Sequence, residues 1–205
     1  MQSKGERQDG QTMSDIRENH RARYEYAIRC LRRYVPPPAV ILDAACGPGY
    51  GSVMLAEAGY KVYGVDCSEE AIEHARAHFA HDLVEYRVAD LINRDDQELL
   101  NLVSTALGIV SIETIEHVSD DWLDILAERS HKLIVGTVPN QDVVPFDPQK
   151  HPWHLRHYTK AELVSLFGTR GYSLSDWETQ YGKWIDYAMR PGDDGMTLGF
   201  VARGF

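Results

Sequence analysis

The chain has 205 residues, 43% hydrophobic and 25% charged, a balance that fits one globular domain burying a core without disulfides or a structural metal. Its net charge of −10 argues against a broad nucleic-acid footprint, which needs clustered Lys and Arg. No apolar run reaches membrane-spanning length, the opening residues hold no signal-peptide core, and the three cysteines form no CxxC pair, so a cytoplasmic protein with reduced thiols is expected.

Residues 1 to 13 are polar and aperiodic and are expected to form a disordered tail ahead of a single domain over 14–205. From Ser14 a helix is predicted, with Tyr24, Ala27, Ile28 and Leu31 spaced along one face, and the prolines at 36 to 38 end it. "AVILDAA" then reads as a strand, "GSVMLAEAG" as a helix and "KVYGVD" as a second strand. "SEEAIEHARAHF" reads as a helix capped by Ser68, and "LVEYRVAD" as strand three. Residues 94 to 107 look helical, "GIVSIE" is strand four, "DDWLDILAERS" a helix and "KLIVGTVP" strand five.

Strand alternating with helix implies a parallel sheet covered on both faces, an α/β doubly wound architecture. A proline-rich loop leads to a helix whose Thr159 and Glu162 have capping-box spacing. "YSLSDWETQYGKWIDYA" and "MTLGFVARGF" read as two antiparallel strands joined through "RPGDDG".

Between strand one and its helix stands "DAACGPGYG", where an open α/β sheet takes its ligand. Gly47, Gly49 and Gly51 fall short of a dinucleotide fingerprint, since Ser52 replaces its third glycine. Three acids close three strands. Asp43 would repel a pyrophosphate and attract a ligand carrying ammonium and sulfonium charges, Asp66 stands where a carboxylate accepts from ribose hydroxyls, and Asp90 can accept from an adenine amine.

With these residues, and with "HRARYEYA", "SIETIEHV" and "IVGTVPN", the chain resembles the class I S-adenosylmethionine (SAM) methyltransferases over roughly residues 20 to 170. The resemblance implies a seven-stranded sheet of order 3-2-1-4-5-7-6, strand seven antiparallel. It implies SAM contacts by Tyr24, Asp43, Ala44, Gly47, Gly49, Asp66, Cys67, Asp90, Leu91, Ile112 and Glu113. Two departures stand out: no acid opens strand four, and Cys67 occupies a position where an apolar side chain often covers the adenine. Packing is the favoured reading of that thiol. For Tyr24, helical spacing gives core packing as the default, with Arg23 or Tyr24 reaching the cofactor carboxylate as the alternative.

Methyl transfer is an in-line displacement that requires an aligned nucleophile and, for a hydroxyl, a group to take its proton. "ETIEHV" supplies Glu113, Glu116 and His117, and "HPWHLRHYT" supplies His151, His154 and His157. By likeness to ubiquinone-pathway O-methyltransferases and small-RNA 2′-O-methyltransferases, Glu113, Glu116, His117 and His154 would form the catalytic set and the ligands of a divalent cation such as Mg. In a metal-free version His117 or His154 is a general base, and both versions remain open.

Lys150, His151, His154, Arg156, His157 and Lys160 make a basic patch that suits an acidic substrate, or equally a solvated loop. Substrate choice is expected there and in the hairpin of Trp184 and Tyr187. The expected activity is methyl transfer from SAM to a hydroxyl, less readily an amine, of a polar small or medium metabolite, by a monomer or homodimer, with RNA 2′-O-methylation a minor reading. The rivals are an NAD-dependent oxidoreductase or epimerase, disfavoured by Asp43, Ser52 and the lack of a Tyr-x-x-x-Lys pair, and a non-catalytic SAM-binding subunit.

Overall fold

The computed structural model describes residues 18–129, 133–182 and 187–205. The expected tail at 1–13, the first turn from Ser14 and Trp184 lie outside the described residues. In chain order the elements are α1 (Glu18–Tyr34), β1 (Val40–Ala44), α2 (Tyr50–Glu57), β2 (Lys61–Asp66), α3 (Glu69–His78), β3 (Val84–Val88) and α4 (Gln97–Thr105). They continue with β4 (Gly108–Ile112), α5 (Asp121–Arg129), β5 (Leu133–Pro139), α6 (Lys160–Gly168), β6 (Tyr172–Gln180), β7 (Arg190–Pro191) and β8 (Thr197–Gly204).

The sheet order is β3-β2-β1-β4-β5-β8-β6-β7, with the first five strands parallel and β8 antiparallel to both β5 and β6. This is the expected doubly wound order with one strand more. β7 pairs only Arg190 and Pro191 with Thr179 and Glu178 on the outer edge, and a two-residue strand ending in proline leaves no periodic trace in a sequence. The strand expected to run on past residue 180 stops at Gln180.

Strand pleating divides the core between the two faces of the sheet. Ile41, Val110, Val135 and Val201 pack with Tyr26, Leu31, Leu55 and Ile72 from α1, α2 and α3. Their neighbours Leu42, Ile109, Ile134 and Ala202 turn to the other face, against Leu99, Trp122, Leu126 and Phe167 from α4, α5 and α6. Local signals set the helix starts: Ser68 accepts from the Ala71 amide, Asp96 from the Leu99 amide, and Thr159 forms a full capping box with Glu162. Among the described residues no helix is long and apolar enough to cross a membrane.

Candidate active site

β1, β2, β3 and β4 run parallel, so their carboxyl ends share one edge of the sheet, where the glycine loop follows β1. The loop folds against β2 through the Cys46 amide, which donates to Val65 O at 2.9 Å. Ala45, Gly47 and Gly49 all take left-handed backbone, at φ 59°, 55° and 97°. Much of the bareness of this stretch comes from packing. A Cβ on Gly51 would lie 1.9 Å from the Tyr24 ring, and one on Gly49 would lie 2.7 Å from both Ala75 Cβ and the Tyr86 hydroxyl oxygen. Glycine at these two positions lets α2 lie close to α1 and α3, and Gly47 remains part-exposed.

The three strand-end acids differ in surroundings. Asp43 is fully buried, accepts from Ser52 Oγ at 2.7 Å and from the Tyr24 hydroxyl at 3.2 Å, and burial pushes its carboxyl up to about 7 against those two bonds. Asp66 accepts from the amides of Gly47 and Ser68, each at 2.9 Å; burial raises its pKa while these donors and His117 oppose the rise. Asp90 is exposed, with Oδ1 3.2 Å from the Ile92 amide, and Leu91 beside it is buried.

Ala44 and Ile112 are buried where Thr114 Oγ1 donates to both of their carbonyls, joining the ends of β1 and β4. Cys67 is exposed, contrary to the packing expected of it, because it follows the last residue of β2. Tyr24 is buried, as its spacing predicts, and it also carries the bond to Asp43.

Past β4, Glu116, His117 and His154 each bring one donor atom within 4.8 Å of the others. Hydrogen bonds set the imidazole tautomers, because a carbonyl oxygen can only accept. His117 Nδ1–H donates to Trp153 O at 3.1 Å, leaving the Nε2 lone pair on the side of Glu116, whose Oε1 is 4.0 Å away. His157 Nδ1–H donates to Val144 O at 2.6 Å, so its Nε2 accepts from His154 Nδ1–H at 2.8 Å, and His154 likewise presents Nε2. Burial and the adjacent imidazoles lower the His154 pKa to about 3, so it is neutral at ordinary pH. Two imidazoles whose orientation is set by hydrogen bonds, with a buried carboxyl group beside them, fit a divalent cation of mixed nitrogen and oxygen preference.

Glu113 stands apart from this group. Its backbone is left-handed at φ 50°, Oε1 accepts from Thr137 Oγ1 at 2.9 Å, and Oε2 faces Arg23 Nη1 at 3.3 Å. Arg23, weighed from the sequence as a reach toward the cofactor, is turned to Glu113, Gln180 and Thr197 instead. Ser52, Thr137, Gln180 and Thr197 gave no local signal for these contacts, which join residues far apart in the chain. The basic patch is largely compensated: Lys150 pairs with Asp147, Arg156 with Asp120 and Lys160 with Asp193.

Residues 41–134 match the family described as a methyltransferase domain. A probable S-adenosylmethionine-dependent methyltransferase of Mycolicibacterium smegmatis is 29% identical over 146 residues, covering 66% of this chain and 52% of that protein. The chain thus spans about half the length of the curated relatives it matches. Among solved structures, magnesium protoporphyrin IX methyltransferase from Synechocystis with bound SAM superposes with TM-score 0.66 at 18% identity, over 96% of this chain and 86% of that one. The methyltransferase domain of bacterial CtHen1-C superposes with TM-score 0.64 at 18% identity, over 90% and 98%.

Proposed function

We propose that this chain, whose residues 41–134 match a methyltransferase-domain family, is a class I SAM-dependent methyltransferase domain that moves a methyl group from SAM to a hydroxyl of a polar small molecule. The observation that carries this reading is the position of His117. It stands near Asp66 and forms a donor group with Glu116 and His154. The acid suited to a ribose and the cluster suited to an acceptor therefore lie near one another, at the carboxyl ends of β2 and β4.

Bound SAM supplies an electrophilic methyl on a sulfonium. Asp66, pre-oriented by two backbone amides, keeps lone pairs for ribose hydroxyls, and exposed Asp90 is available to the adenine amine. Asp43 sits beneath the loop and supplies negative charge to the cationic end of the ligand from below. On the acceptor side, the Nε2 atoms of His117 and His154 with the Glu116 carboxylate would hold a divalent cation, which lowers the pKa of a hydroxyl bound to it. Without a cation, Nε2 of His117 or of His154 would take the hydroxyl proton. Compensation of the patch cations by Asp120, Asp147 and Asp193 weakens the case for an acidic substrate.

Calorimetric titration of S-adenosylhomocysteine into wild-type protein and Asp66→Ala tests the cofactor assignment, with a loss on the order of tenfold or more expected in the variant. Saturable micromolar NAD binding would overturn it in favour of an oxidoreductase. Labelled SAM offered with hydroxyl and amine acceptors tests the acceptor atom, and label found only on nitrogen would refute the oxygen assignment.

A further inference from the structure

We propose that Arg23 is a positioning residue that withholds Glu113 from the cation site, leaving Glu116, His117 and His154 as a three-donor set. The proposal rests on the cation reading of that cluster and departs from the four-ligand set that the sequence resemblance implies.

Glu113 is held from both sides. Thr137 donates to Oε1, and the Glu113 amide in turn donates to Thr137 O at 3.0 Å, which fixes the residue against the carboxyl-terminal half of β5. Arg23 faces Oε2, and its guanidinium is itself immobilised: Nε donates to Gln180 Oε1 at 3.3 Å and Nη2 to Thr197 Oγ1 at 3.1 Å. Gln180 is anchored in its turn, donating through Nε2 to Asn19 O and Tyr187 O. With 9% of its side chain exposed, Arg23 has little water to replace a lost carboxylate. A cation that captured Glu113 would leave that guanidinium buried without its counter-charge, a strongly unfavourable state. An octahedral ion with three protein donors keeps three positions for water or acceptor oxygens, whereas a fourth donor would leave two. Arg23 therefore sets how much of the ion an acceptor can reach.

Mn²⁺ is the probe, because it accepts nitrogen and oxygen donors and its free and bound forms separate by electron paramagnetic resonance. Titration of the full chain compares wild type with E113Q, R23Q, R23Q/E113Q and E116Q. Wild-type affinity in E113Q, on the order of tenfold tighter binding in R23Q, and return to wild-type affinity in the double variant are the expected results. Tenfold weaker binding in E113Q makes Glu113 a ligand and overturns the proposal, as does unchanged affinity in R23Q. Should R23Q not fold, the isosteric E113Q decides alone by the same criterion. Retention of Mn²⁺ by wild type with its loss in E116Q establishes the site independently; no Mn²⁺ binding by any variant removes the cation reading and this proposal together.

Discussion

The hydroxyl of Tyr24, on the first helix, donates to Asp43 Oδ1 at the end of β1 across 3.2 Å, so a residue from outside the glycine loop roofs the carboxylate beneath it. Burying that acid has a pH-dependent cost. Its folded pKa of about 7 lies above the ordinary 3.8, so between these values the folded state holds a proton that the unfolded state has released. Stability therefore falls as pH rises through this window and stays reduced above it. Asp43→Asn retains an acceptor for Ser52 and Tyr24 without the charge. Its melting temperature should exceed wild type by about 5 °C at pH 8, with the difference closing near pH 4, while S-adenosylhomocysteine binding at pH 8 weakens. A variant that melts no higher than wild type at pH 8 would contradict the assignment.

Ala45 holds a left-handed φ of 59° with no glycine to absorb it. Ala45→Gly should raise the unfolding free energy by roughly 0.5–1 kcal/mol, read from urea midpoints at unchanged slope. A loss of stability would mean that the Ala45 methyl contributes packing that outweighs the strain.

Gly51→Ala places a methyl inside the Tyr24 ring and should cost about 2–3 kcal/mol. The same change in a Tyr24→Ala background should cost much less, because the obstructing ring is gone. Equal costs in the two backgrounds would show that the collision is relieved elsewhere.

His157 is no member of the donor group, yet its Nε2 accepts from His154 Nδ1–H and so orients that ring. His157→Ala should weaken Mn²⁺ binding by about 10- to 100-fold while leaving S-adenosylhomocysteine affinity intact. Loss of both affinities would mark a collapsed loop instead of a lost orienting bond.

Thr159→Ala breaks the capping box at the start of α6 and should cost about 1 kcal/mol in chemical denaturation. Because α6 packs on the face of the sheet through Leu163 and Phe167, cofactor affinity should be unaffected.

The readings that succeeded from sequence rest on neighbours in the chain. Ser68 and Thr159 announce their helices by what lies three residues downstream, and the acids closing β1, β2 and β3 follow from strand ends that apolar runs delimit. What sequence left unread depends on distant partners. Arg23 meets Glu113 only because α1 lies over the end of β4, and Asp43 is sealed because Tyr24 arrives from the same helix. Nothing around Glu113 separates it from Glu116 as a ligand; the separation comes from Thr137 on β5 and from Arg23. Cys67 was misread because one position decides whether a thiol ends inside a strand or just beyond it.

The placement of β8 bears on how the polypeptide reaches this state. Leu133 pairs with Arg203 and Tyr172 with Gly204, so β8 is wedged between two strands that leave the ribosome before it. Until it arrives, β5 presents an unpaired apolar edge and β6 has no place in the sheet. Contacts of such long sequence separation form slowly, so the β5 edge stays open to self-association until β8 has paired with it.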